Sequence, residues 1–410
     1  MKKLNKFMAL GLVGAMAATT LAGCGGSSSA AGTSTPAETS GSAAAESAAP
    51  AASAASEAAA TTSNGGNHVF MFKSVGNAFG VIMYEGFNSY MTQVGEKAEE
   101  KSPAETTVAA QVQLIDEALT KGCKSISIST NGDTGFDEVF AKAQSQKVPI
   151  VSVDSAASAD YRVTHNNQAS TEDIGAMQVR AAVMIACGKD FDPADGDMTK
   201  GVEEALAGYT GDPINIGVLS AGIDTPVQNG WIAEMEKELA KDIYAGKVNP
   251  ELDKKYGDDE ATKSTQQAQA FLSENKVDVI ISPTTVGIAA AAEVMKSAGS
   301  DIKVTGLGLP SEMKPYMPTS DSDNALDFVC PYMMLWDVSH LGASTAAIQM
   351  AVQNDGYTGA AGEEVKMEAW GEYTGETFKT EEDPAGGTSV LTGIPYTFYK
   401  GNMAEWADKL

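Results

Sequence analysis

Basic residues are scarce in this chain: 28 lysines and arginines stand against 54 aspartates and glutamates, a formal charge of −26 over 410 residues. So acidic a surface repels phosphate backbones and anionic headgroups, which excludes nucleic acid as a partner of the folded part. Histidine is scarcer still. His68, His165 and His340 lie far apart without ligand spacing, so no zinc site is expected. Of the four cysteines, Cys24 belongs to the leader treated below, and Cys123, Cys187 and Cys330 each sit beside apolar residues. An odd set of three argues against a disulfide framework, leaves room for at most one bridge, and reads as small buried hydrophobes. Catalytic signatures are missing too: there is no Gly-x-Ser-x-Gly elbow, no His-Glu-x-x-His and no phosphate-binding Gly-x-x-x-x-Gly-Lys-Ser/Thr loop. The run Gly306-Leu307-Gly308-Leu309-Pro310-Ser311 begins like a dinucleotide loop, but it places serine where the third glycine belongs. The expectation is a protein that is not an enzyme and needs no cofactor or metal.

What is present begins with a leader. Lys2, Lys3 and Lys6 precede an apolar stretch over 7–18, too short to span a bilayer well, and small residues then lead to Cys24. Leu21-Ala22-Gly23-Cys24 resembles a bacterial lipobox, which implies cleavage of a signal peptide over 1–23 and a lipid on Cys24. The expected location is extracytoplasmic, tethered to the cell membrane. Residues 24–66 are almost entirely Ser, Ala, Thr, Gly and Pro with scattered Glu, a composition unable to bury enough apolar surface to offset the entropy of ordering. As a flexible coil it would reach about 35 to 40 Å. The segment reads as a leash.

From 67 to 410, short β-branched runs alternate with longer stretches of helical period, the pattern of parallel α/β sheets. Strands are predicted over 69–73, 125–130, 149–154, 214–220, 277–282 and 302–308. Helices are predicted around Phe79, Met83 and Phe87; around Val112, Ile115 and Leu119; and around Val139, Phe140 and Ala143. The alternation resumes at 171–187, 226–239, 262–272 and 286–298. Two βα series of similar length predict two doubly wound lobes, with functional residues at the carboxyl ends of the strands. Asp190, Asp192, Asp195 and Asp197 read as a surface loop, because Phe191 and Pro193 occupy positions where a calcium loop needs acids.

Several segments together resemble the type I periplasmic sugar-binding family that feeds ABC transporters, and more closely its autoinducer-2-binding and rhamnose-binding branch. They are Phe72-Lys73-Ser74-Val75-Gly76-Asn77-Ala78-Phe79, Gln111-Val112-Gln113-Leu114-Ile115-Asp116, Val153-Asp154-Ser155, Gln228-Asn229-Gly230-Trp231, Ile281-Ser282-Pro283, Met313-Lys314-Pro315-Tyr316 and Leu335-Trp336-Asp337. The resemblance implies a venus-flytrap receptor, monomeric, with a three-segment hinge: one lobe from 67–164 and 338–368, the other from 165–337 and 369–410. It also implies a small sugar in the cleft and ABC permease subunits as partners. Carried over position by position, Lys73, Asn77, Asn131, Asp154, Gln228, Pro283 and Thr285 would contact ligand through hydrogen-bonding groups, with Phe79 and Trp336 as walls and Trp231 nearby. Autoinducer-2 receptors carry an acid beside the amide, whereas here Val227 precedes Gln228. That departure favours a rhamnose-like or other monosaccharide; the alternative role is an autoinducer-2 receptor or a sugar-sensing module that presents its ligand to a membrane receptor.

Overall fold

The computed structural model describes residues 66–410 apart from residue 394. The first sheet starts from β1 (His68–Met71), β2 (Ala98–Glu100), β3 (Ser125–Ile128), β4 (Ile150–Val153) and β5 (His165–Asn167), all mutually parallel. In β3, Ser-Ile-Ser-Ile is buried throughout, as expected of a strand covered on both faces. Ile126 and Ile128 pack with α2 (Val108–Thr120) and α3 (Asp137–Ser145), whereas Ser125 and Ser127 face the opposite layer and bond to His68 Nδ1 at 2.8 Å and Gln349 Nε2 at 3.1 Å. That opposite layer contains α1 (Ala78–Gln93), capped by the Asn77 side chain on the amide of Gly80.

The second sheet is built from β6 (Ile216–Ser220), β7 (Asp253–Tyr256), β8 (Val279–Ser282) and β9 (Lys303–Gly306) in the order β7-β6-β8-β9, all parallel. Around it lie α4 (Thr171–Ala186), α5 (Thr199–Gly208), α6 (Pro226–Leu239), α7 (Ala261–Glu274), α8 (Thr285–Ala298) and the single turn α9 (Pro310–Met313). Pro226 opens α6 where its missing N–H costs nothing, and Gly299 closes α8 at φ +61°. The acidic loop before α5 is spent on its own backbone: Asp192 accepts from the Ala194 amide, Asp195 from Lys200 and Gly201, and Asp197 from Thr199.

The chain then returns. After β10 (Met333–Leu335) it enters α10 (Val338–Asn354), which lies against α1 at very short range. A Cβ on Gly342 would fall 1.9 Å from the Met83 carbonyl oxygen, so only glycine permits that crossing. Next come β11 (Glu364–Met367), β12 (Glu376–Glu382) and β13 (Thr388–Leu391), which complete an eight-stranded sheet in the order β11-β12-β13-β5-β4-β3-β1-β2. Finally β14 (Tyr396–Phe398) pairs antiparallel with β10. Three short segments, 168–170, 336–337 and 392–395, therefore connect the elements of the two sheets.

All six predicted strands and the predicted helices are present. The division of the chain differs from the expectation that 165–337 and 369–410 belong wholly to the second lobe: β12, β13 and β5 are hydrogen-bonded into the first sheet. The β12–β13 hairpin is fastened there by Arg162, which donates to Asp383 Oδ2 at 2.9 Å and to the Gly386 carbonyl at 2.7 Å. Cys123 and Cys330 are buried and Cys187 is half-buried, all three as free thiols.

Candidate functional site

At the carboxyl end of β1, Lys73 projects into the space between the two sheets, and at the end of β4 Asp154 meets it. The ammonium lies 3.0 Å from Asp154 Oδ2, with the side chains 3% and 4% exposed. Ser129 donates to the same oxygen at 2.8 Å. Asp154 holds φ +61°, a left-handed conformation unusual for a residue with a side chain. An ion pair so buried costs desolvation that its own attraction barely repays, so stability alone is a poor reason for its presence. Strain combined with buried charge is a pattern found where a side chain is aimed at something.

A pocket surrounds this pair, with about 330 Å³ of empty volume partly open to solvent. Of the residues nominated from the sequence, Lys73, Asn77, Phe79, Asp154, Gln228, Pro283, Thr285 and Trp336 all line it. Asn131 does not. Its amide donates to the Lys73 carbonyl at 2.8 Å, and its backbone N–H donates to Gln111 Oε1 at 2.8 Å, so it braces the backbone of the lysine from the wider groove outside. Cys24 lies outside the described residues.

One wall is aromatic and continuous. Phe72 and Phe79 have ring centroids 5.7 Å apart, Phe79 meets Trp336 edge-on at 6.0 Å and 89°, and Trp336 meets Trp231 at 6.0 Å. Such faces suit the C–H side of a ring while offering polar edges. Leu307 and Leu335 add aliphatic surface. Val227 is half-buried, packs against the core and is not among the lining residues, so it presents no methyl groups to the pocket.

The polar groups are incompletely satisfied. Gln228 donates through Nε2 to the Pro283 carbonyl at 3.3 Å, yet its Oε1 is buried without a partner, and the indole N–H groups of Trp231 and Trp336 are likewise unpaired among the described residues. Native interiors seldom leave such groups alone, because each costs roughly 1 to 3 kcal/mol. Two donors and an acceptor are thus left unpaired on residues that line one pocket.

Sequence reasoning missed Phe72, Asp259, Thr284, Leu307 and Leu335 as lining residues. Asp259 follows β7, and its Oδ1 accepts from the Thr284 hydroxyl. Burial pushes its carboxyl above the usual range, an effect that the Lys73 ammonium partly offsets and Asp154 reinforces. Of the two carboxylates in the pocket, one thus comes from each sheet.

The sequence matches the profile of a family described as a periplasmic binding protein domain over residues 68–356. Among solved structures, an ABC transporter solute binding protein from Clostridium phytofermentas with bound L-rhamnose shares 30% identity, with 84% of this chain and 99% of that one covered and a TM-score of 0.71. A sugar ABC transporter from Actinomyces odontolyticus shares 26% identity over 84% of this chain and 98% of that one, with a TM-score of 0.58. LsrB from Clostridium saccharobutylicum in complex with AI-2 is 22% identical over 83% and 99%, with a TM-score of 0.69, a likeness of fold alone.

Proposed function

We propose, since this chain belongs to the periplasmic binding protein domain family, that it is a lipid-anchored, extracytoplasmic substrate-binding protein of an ABC importer, capturing one small neutral sugar between two lobes. The lobes comprise about 67–167 with 338–391 and about 168–337 with 392–410, joined by the three crossings. The observation that carries the reading is the set of buried, unpaired polar atoms, Gln228 Oε1, Trp231 Nε1 and Trp336 Nε1, gathered around an aromatic wall and a buried ion pair. A monosaccharide has what these groups lack: hydroxyls that both donate and accept, and an apolar ring face.

Binding proceeds without chemistry on the ligand. Lys73 donates to a ring or hydroxyl oxygen, and Asp154 accepts from hydroxyls, bonds strengthened by their charge. Groups from both sheets contact the ligand, so its binding free energy favours the closed arrangement over an open one, and the closed form is what permease subunits receive. Leu307 and Leu335 offer a place for a ligand methyl group, which keeps a 6-deoxyhexose such as L-rhamnose first among the candidates.

The test is a thermal-shift screen of the full chain against L-rhamnose, D-ribose, D-galactose, D-xylose, D-arabinose and autoinducer-2, followed by calorimetry. One of the sugars should raise the melting temperature saturably, bind one per chain, and show little salt dependence. Failure of every mono- or disaccharide to do so would overturn the reading.

A further inference from the structure

We infer that Asp259 is a specificity-determining ligand contact: with Asp154 it holds a neutral polyhydroxylated ligand between one carboxylate from each sheet, and the two together exclude acidic sugars. This rests on the sugar-binding reading above and names the charge class that the site admits.

The placement is built rather than incidental. Asp258 and Asp259 have φ +54° and +53°, two consecutive side-chain-bearing residues in the left-handed region, which turns the chain between β7 and α7 towards the pocket. The hydroxyl of Thr284, from the loop before α8, fixes Oδ1, and among the described residues Oδ2 has no partner. The cation of its own loop is spent elsewhere, since Lys263 pairs with Asp258 at 3.0 Å and with Glu260 at 3.0 Å. Lys73 pairs with Asp154 and is left as the single cation facing both carboxyls.

The pocket therefore holds two carboxyl groups and one ammonium. Neither of the chain's two arginines reaches it: Arg162 is engaged with Asp383, and Arg180 with Glu238. A uronate or sugar phosphate entering the pocket would add a third anionic group beside a single cation, and like charges at such close quarters repel. A neutral sugar meets the same groups with hydroxyl donors on opposite edges, which is the complement they require. The burial that raises the Asp259 carboxyl out of its usual range points the same way, towards a group that gains from a donor and tolerates no further negative charge.

The experiment is calorimetry on the full chain, using whichever neutral sugar of the panel binds the wild type most tightly, with D-galactose and D-galacturonate as a matched pair of probes. Asp259→Ala should weaken the neutral sugar tenfold or more, Asp259→Asn should fall between, and galacturonate should bind the wild type at least a hundredfold more weakly than galactose or not at all. Wild-type affinity in Asp259→Ala, or galacturonate bound as tightly as galactose, would overturn the inference while leaving the sugar-binding reading intact. Absence of any neutral sugar binding in the wild type would sink both. Should the alanine variant not fold, Asp259→Asn decides: unchanged neutral-sugar affinity there, with galacturonate rejected as strongly as by the wild type, overturns the role.

Discussion

Gly393 and Gln168, on two different crossings, touch backbone to backbone: a Cβ on Gly393 would lie 1.9 Å from the Gln168 carbonyl oxygen and 3.4 Å from Cβ of Trp336, on the third crossing. All three connecting segments thus meet at a point where no side chain fits. Gly393→Ala should force the crossings apart, at a cost of about 1 to 3 kcal/mol as for other overpacked sites. The expected outcome is a weaker ligand affinity and a larger radius of gyration with ligand, by X-ray scattering. An unchanged affinity together with an unchanged ligand-bound radius would show that the contact does not govern the arrangement of the sheets.

The Lys73–Asp154 pair lets binding be separated from folding. Asp154→Ala leaves a buried ammonium uncompensated, which should destabilise the fold by about 3 to 5 kcal/mol as well as weaken ligand by about 2 kcal/mol or more. The double variant Lys73→Met with Asp154→Asn removes both charges, and asparagine tolerates the positive φ. Its melting temperature should recover relative to Asp154→Ala while ligand binding stays lost. A double variant that still bound sugar at wild-type affinity would take the pair out of the site.

His165 sets the acid side of the stability curve. Burial, with the nearby Arg162 charge, pushes its imidazole down to about 3, and its Nδ1 bonds to Ser152 Oγ at 3.0 Å. The unfolded chain protonates this residue near pH 6.5, so below that value the unfolded state binds a proton that the folded state refuses. Its contribution is complete above about pH 6.5 and drains away as the pH falls towards 3. Urea midpoints should therefore drop between pH 7 and pH 5, and His165→Gln should flatten that slope relative to wild type. Parallel slopes in the two proteins would refute the assignment, since every other titrating group cancels in the comparison.

Cys24→Ala should move the protein from the membrane fraction to the soluble fraction and abolish fatty-acid labelling in a lipoprotein-processing host. Ligand affinity should stay unchanged, because Cys24 lies far in sequence from every residue that lines the pocket. Continued labelling with full membrane retention would disprove the lipid attachment.

Lys73 and Asp154 are legible in the sequence because they close buried strands whose apolar runs stand out, and functional groups gather at such ends. Asp259 is not legible, for the same reason inverted. Its strand β7 reads Asp-Lys-Lys-Tyr, lies at the edge of the second sheet and is half exposed, so no apolar run announces it. β12 hides in the same way: Glu-Thr-Phe-Lys-Thr-Glu-Glu buries only Phe378 and Thr380 and turns its charges outward. The missed lobe boundary follows directly from that. Val227 shows the opposite failure, a position whose identity is plain in sequence but whose side chain packs away from the pocket.

The order of the strands also governs when the molecule can be finished. Whether it emerges from a ribosome or an export channel, N-terminus first, the first five strands come early, but their sheet waits for β13 and β12, and the helix that seals its face, α10, comes after the whole second sheet. The second sheet in turn lacks the β14 cover of β10 until the last fifteen residues or so have emerged. The first half cannot complete its sheet on partial synthesis, and contacts of such long sequence separation form slowly. A chain arranged in this way completes its first sheet only when almost all of it has been delivered.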